Sequence, residues 1–152
     1  SSMRTIILCL GNDILGDDGV GIEAARILGE TLPPEVDVAV SGEAGLALLE
    51  LLMGYEKAII VDSIKTGRFQ PGSIVEFGPS DLPSVSAPSP HYAGLPEVMQ
   101  LARNLHVPFP SDIRIVAMEV EDPFSIREGL SSTATAAMPG LLAAIRTQIT
   151  EI

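Results

Sequence analysis

Arg4-Thr-Ile-Ile-Leu-Cys-Leu10 runs directly into Gly11-Asn-Asp-Ile-Leu-Gly16-Asp17-Asp18-Gly19-Val20-Gly21. The first segment is apolar and β-branched without polar alternation, the pattern of a strand buried on both faces. Gly11-Asn12 then marks a sharp turn. From Val20 the apolar positions Val20, Ala24, Ile27 and Leu28 fall at helical spacing, and Pro33-Pro34 stops that helix. A buried strand that enters a helix through a glycine turn is the opening unit of an α/β domain.

The alternation continues outward from this junction. Val36–Val40 reads as a short strand, and Gly42–Gly45 turns into a second helix through Met53. Lys57–Asp62 is another continuous apolar strand, broken by Thr66-Gly67 and Pro71-Gly72. Ser73–Phe77 reads as a strand, and the Pro- and Ser-rich segment Gly78–Pro90 reads as a long loop. A helix after His91 runs to about Leu105, followed by a strand at Ile113–Met118 and irregular chain over Glu119–Leu130. Ser131-Ser132 cap a final helix to Ile149, with an apolar face at Ala137, Leu141, Ala144 and Ile145. Pro139-Gly140 inside it predicts a kink or a later effective start.

Strands alternating with helices predict a doubly wound, mostly parallel sheet with helices on both faces. One connection differs. Asp62 to Ser73 spans about ten residues with no helical stripe, too few for a parallel crossover, so Ser73–Phe77 is expected to run antiparallel. The expectation is one α/β domain over residues 3–152, with about five strands, four of them parallel. Ser1-Ser2 reads as a cloning remnant.

Composition narrows the function classes. At 152 residues the chain can hide about two-thirds of its unfolded surface without staples. A formal net charge of −11 repels phosphate backbones and anionic headgroups, so nucleic acid and membranes are not expected partners. The same charge suits a cationic metal or a basic peptide. The apolar runs stop short of a bilayer span, and the N-terminus enters a strand-like run without a cleavable flank. A lone cysteine, Cys9, fits a reducing compartment and reads as core. A cytoplasmic monomer is expected.

The first turn sits where phosphate-binding loops sit, but its chemistry is wrong for phosphate. A P-loop follows its glycines with Lys and Ser or Thr, whereas here Asp17 and Asp18 follow. The dinucleotide spacing is absent as well. One carboxylate at a helix start is explained by capping. The pair makes Asp17 the cap and leaves Asp18 for other work. Asp62 ends its strand, and ligands of open α/β sheets bind beyond the carboxyl ends of strands near a switch point. If strands one and three are neighbours, Asp18 and Asp62 face one crevice, although a turn bonding the Ser63–Thr66 backbone also accounts for Asp62. His91 follows the Pro-rich loop with Pro90 fixing the backbone before it, although an isolated surface histidine is the plainer alternative. His106, just past a helix end, is explained by its dipole position. Two carboxylates and an imidazole form an O/O/N ligand set suited to borderline ions, with positions left open for water or substrate. The Ser131–Thr135 hydroxyls read as caps and not as nucleophiles.

Leu10-Gly-Asn-Asp-Ile-Leu-Gly-Asp-Asp18-Gly-Val-Gly21, Ser41-Gly-Glu-Ala-Gly45, Ile59-Ile-Val-Asp62 and Ser89-Pro-His91-Tyr-Ala-Gly-Leu95 together resemble the hydrogenase maturation endopeptidases in order and spacing. The resemblance implies an endopeptidase that removes the C-terminal extension of a nickel–iron hydrogenase large subunit after nickel insertion. It maps the family's nickel-reading acid, aspartate and histidine onto Asp18, Asp62 and His91, as metal-contacting and catalytic residues. The nickel arrives with the large-subunit precursor, so the enzyme itself need hold no resting metal. Asp18 stands where relatives carry Glu or Asp. Glu43 reads either as a supporting acid or as a cap of the helix that follows. Two other classes fit the same residues: a metal-dependent hydrolase of another kind, and a non-catalytic chaperone that senses metal-loaded hydrogenase.

Overall fold

The computed structural model describes residues 4–12, 14–43, 45–84, 94–126 and 128–150. Ser1-Ser2, His91 and residues 85–90 of the Pro-rich segment lie outside them. Five strands, β1 (Thr5–Leu10), β2 (Val36–Ser41), β3 (Lys57–Ile64), β4 (Ile74–Phe77) and β5 (Asp112–Glu119), form one sheet in the order β2-β1-β3-β5-β4. Helices α1 (Val20–Leu28), α2 (Ala47–Leu52), α3 (Leu95–Leu105) and α4 (Ser132–Thr150) connect and cover it. β1 pairs in parallel with β2 and β3, and β3 with β5. β4 runs antiparallel to β5, as the short connection predicts.

The two faces follow from the period of two along each strand. Ile7, Cys9, Ile59, Val61, Val116 and Met118 pack with α1 and α4. Ile6, Leu8, Ile60 and Ile115 pack with Leu48 of α2 and Val98 of α3. β3 is central and buried at all eight positions, which is why it reads as an uninterrupted apolar run. At roughly 1.5–3 kcal/mol for each large apolar side chain buried, these faces supply the main stabilising force.

The β3–β4 reversal has an identifiable clamp. The Glu119 carboxylate, at the end of β5, accepts hydrogen bonds from Thr66 N (2.9 Å), Thr66 Oγ1 (2.5 Å) and Gly67 N (3.2 Å). A buried acid thus satisfies the turn's backbone donors and folds β4 back against β5.

Two local expectations are corrected and one is narrowed. β3 does not stop at Asp62 but continues to Ile64, because β5 still pairs with it after β1 has ended. Pro79–Ser84 forms a 3-10 helix, in which the Asp81 carboxylate accepts from Gly78 N at 2.9 Å; proline at its first position needs no donor. The last helix begins at Ser132, next to the expected cap at Ser131, and includes Pro139, so of the two alternatives at Pro139-Gly140 the later start is not taken. His106 does lie at the end of α3, in the left-handed conformation (φ 56°), with its N–H donating to Ala102 O and Arg103 O. No helix among the described residues is long and apolar enough to cross a membrane.

Candidate active site at the carboxyl edge of the sheet

β1 is followed through α1 by β2 on one side, while β3 lies on its other side. The gap between the ends of β1 and β3 is therefore the topological switch point, where such sheets open a crevice. The last β1–β3 pair is Cys9 with Val61, so Asp62, Ser63 and Ile64 extend past that ladder. The Gly11–Gly19 turn crosses above them.

This turn is shaped by close backbone approach. Gly11 has φ +151°, and a Cβ there would lie 2.1 Å from the Asp18 carbonyl oxygen. Its N–H donates to Ser41 O at 3.1 Å. Gly21 lets α1 pack directly on the strands, since a Cβ would meet Leu10 O at 2.6 Å and Val61 O at 3.1 Å. A 3-10 turn at Gly16–Gly19 carries both acids into α1.

Asp17 and Asp18 have separate tasks, and one differs from the sequence expectation. Asp17 caps neither its own turn nor α1. Its carboxylate instead accepts from Ser131 N and Ser131 Oγ, both at 2.7 Å. Ser131 Oγ in turn accepts from Ala134 N at 3.1 Å, capping α4. Asp17 therefore pins the start of the last helix to the first turn. Charged hydrogen bonds of this kind contribute about 1.5–3 kcal/mol each. Asp17→Ala is expected to lower stability by about 3 kcal/mol, read as an earlier urea midpoint. A midpoint equal to wild type would contradict the pin.

Asp18 is not left unbonded. Its Oδ2 accepts from Asn12 N at 2.9 Å, and its Oδ1 accepts from Ser63 Oγ at 3.1 Å. Asp62 is fully buried, and its Oδ1 accepts from Ser63 N at 2.8 Å. The local backbone bond weighed for Asp62 is thus present, but within a strand and not in a turn. Ser63 consequently touches both acids, through its hydroxyl on one side and its amide on the other. Asp18 and Asp62 are thus both bonded to this one residue at the switch point. His91 lies outside the described residues, which contain no group of three His, Cys, Asp or Glu side chains placed to hold a metal ion.

Two other candidates resolve. Cys9 is fully buried; burial first, and then the charge of Asp62, push its thiol up to about 12. It stays protonated at neutral pH and supplies neither a thiolate ligand nor a nucleophile. Glu43 is not a cap: α2 has no side-chain cap, and Glu43 N donates to Ser41 Oγ at 3.0 Å. Ser63 is the residue that sequence reasoning passed over. The only signal for it was a hydroxyl directly after the acid that closes an apolar strand.

A doubly wound sheet with two carboxylates where a nucleotide-binding fold would seat phosphate defines an α/β domain with an acidic crevice at its switch point. Comparison with known proteins agrees with that class and narrows it. Residues 22–148 match the family model described as hydrogenase maturation protease. The hydrogenase 2 maturation protease of Escherichia coli K12 is 28% identical over 95% of this chain and 92% of its own length. The structure of the hydrogenase maturating endopeptidase HybD from E. coli matches with a TM-score of 0.83 and 26% identity, covering 98% of this chain and 93% of that one. The NiFe hydrogenase maturation protease HybD from Thermococcus kodakarensis matches with a TM-score of 0.75 and 26% identity, covering 96% and 99%. The chain belongs to the hydrogenase maturation protease family, and the family assignment makes it an endopeptidase.

Proposed function

We propose that this protease removes the C-terminal extension of a nickel–iron hydrogenase large subunit after nickel insertion, with Asp18, Asp62 and His91 reading the nickel carried by the substrate. The observation that carries the reading is the shared anchoring of Asp18 and Asp62 on Ser63 at the switch point. Two acids anchored at one edge of the sheet give it a negative charge that draws a cation. With the imidazole of His91 they make an O/O/N set suited to a borderline ion such as nickel. Selective cutting then follows from docking. Only a precursor that bears nickel is held with its scissile bond in the crevice, which converts a bimolecular encounter into an oriented one.

Hydrolysis adds water to the scissile carbonyl, breaks the C–N bond and moves a proton from the water to the leaving amine. A carboxylate beside the bond is suited to relay that proton, whereas the protonated Cys9 thiol is not. The loops around the crevice also suit a polypeptide substrate. Ile14, Leu46, Phe69, Phe124 and Ile126 are all exposed there, following β1, β2, β3 and β5 at the edge where the crevice opens. Exposed apolar side chains in the loops of this edge suit contact with a polypeptide.

The test is mass spectrometry of a large-subunit precursor incubated with the protein, with and without nickel loaded. The expected outcome is loss of one C-terminal peptide from the nickel-loaded form only. Equal cutting of both forms, or an intact nickel-loaded precursor, would overturn the proposal.

A further inference from the structure

We infer that Ser63 is a positioning residue, its hydroxyl holding the Asp18 carboxylate in place at the switch point. The inference rests on the reading of Asp18 and Asp62 given above and assigns a role to a residue outside the set Asp18, Asp62 and His91.

Ser63 sits in a strand position that a hydrophobic side chain would ordinarily fill. By the alternation along β3 it faces the same side as Ile59 and Val61, which pack in the apolar cluster with α1 and α4. Ser63 itself is buried, at 3% exposure. A hydroxyl brought there without a partner is penalised, so an alanine would serve packing at least as well. The partner it does have is Asp18 Oδ1, from a segment 45 residues earlier in the chain.

The second contact on Asp18 explains why one donor is not enough. Asn12 N holds Oδ2 from within the same turn, which leaves the carboxylate able to swing about that single bond. Ser63 Oγ supplies a second anchor from β3, the strand that also carries Asp62. The position of Asp18 is thereby referred to the rigid, fully buried strand and not to its own exposed loop. An ionised carboxylate has about four lone-pair sites, so two protein donors leave Asp18 capacity for a cation. The geometry orients the acid without saturating it. Groups that orient a metal-contacting carboxylate in this way typically matter 10–100-fold when removed.

The experiment compares wild type, Ser63→Ala, Ser63→Thr and Asp18→Asn by two readouts. In the protein without added metal, the Asn12 amide resonance reports the hydrogen bond to Asp18 directly. Ser63→Ala is expected to move it upfield and speed its hydrogen exchange, while Ser63→Thr keeps it near the wild-type position. On nickel-loaded precursor, Ser63→Ala is expected to lower kcat about 10–100-fold with KM little changed, and Ser63→Thr to recover most of the rate. An unmoved Asn12 amide together with a wild-type rate in Ser63→Ala overturns the role. The two failures are separable. Full activity in Asp18→Asn overturns the reading of the site itself and this inference with it, whereas full activity in Ser63→Ala with an inactive Asp18→Asn overturns only the role of Ser63.

Discussion

Asp62→Asn is expected to lower cleavage of the nickel-loaded precursor by roughly a thousandfold, the scale at which a positioned acid or base contributes, while the fold survives. The substitution separates charge from shape. Asparagine has nearly the same size, and its side-chain oxygen can still accept the Ser63 amide bond that Asp62 Oδ1 takes at 2.8 Å. What it loses is the negative charge needed to draw a cation and the basicity needed to take a proton. Because Asp62 is fully buried, removing that charge also relieves desolvation, so the thermal midpoint should move by no more than a few degrees. Wild-type cutting by a folded Asp62→Asn protein would contradict the assignment.

Asp18 is a less direct probe of charge for a reason visible in its hydrogen bonds. Both oxygens of Asp18 are acceptors, one for Asn12 N and one for Ser63 Oγ. An asparagine there must turn its NH2 toward one of those donors, so lost activity mixes lost charge with a displaced turn. Asp17→Ala supplies the opposite control. It removes an acid one position away that serves Ser131, and its effect should appear in stability before it appears in turnover.

The difference between Asp17 and Asp18 also shows where sequence reasoning stops. That one acid follows each of strands one and three comes from continuous apolar runs. That the two strands are neighbours is only a condition there, and the sheet order supplies it. The antiparallel β4 followed from the length of one connection. These inferences use local pattern, which survives in a single sequence. The partner of Asp17 is 114 residues away, and no local preference distinguishes an acid that caps its own helix from one that caps another. The overshoot of β3 to Ile64 and the placement of Ser63 against Asp18 likewise depend on which strand outlasts which, a property of the assembled sheet. Of the two readings of Glu43, the cap was lost for the opposite reason. Its spacing to the following helix allowed a cap, but the loop bonded internally to Ser41.

The largest expected loss of stability is at Gly11, where Gly11→Ala should destabilise the protein by at least about 3 kcal/mol through two separate penalties. A non-glycine residue at φ +151° carries backbone strain of about 1–3 kcal/mol. The added methyl would also lie 2.1 Å from the Asp18 carbonyl oxygen, and overpacking against atoms that cannot step aside costs about 1–3 kcal/mol more. For a chain of this size that corresponds to a fall in Tm of about 10 °C. Two other glycines separate the penalties. Gly45 has φ +60° with nothing within 4 Å of its Cβ position, so Gly45→Ala meets only the left-handed strain of about 1–2 kcal/mol. Gly21 lies within α1 (Val20–Leu28), so Gly21→Ala meets contact without left-handed strain, at Leu10 O (2.6 Å), Val61 O (3.1 Å) and Leu10 N (3.2 Å). Gly11→Ala, which meets both penalties, should lose more than Gly45→Ala, which meets strain alone. Activity adds a further distinction. The atom that Gly11→Ala displaces belongs to Asp18, so the surviving folded fraction should cut more slowly than wild type at a temperature where both are fully folded. Gly45→Ala, whose Cβ meets nothing, should cut at the wild-type rate. A Gly11→Ala protein that is unstable but fully active when folded would show that the turn holds the fold together without aiming Asp18.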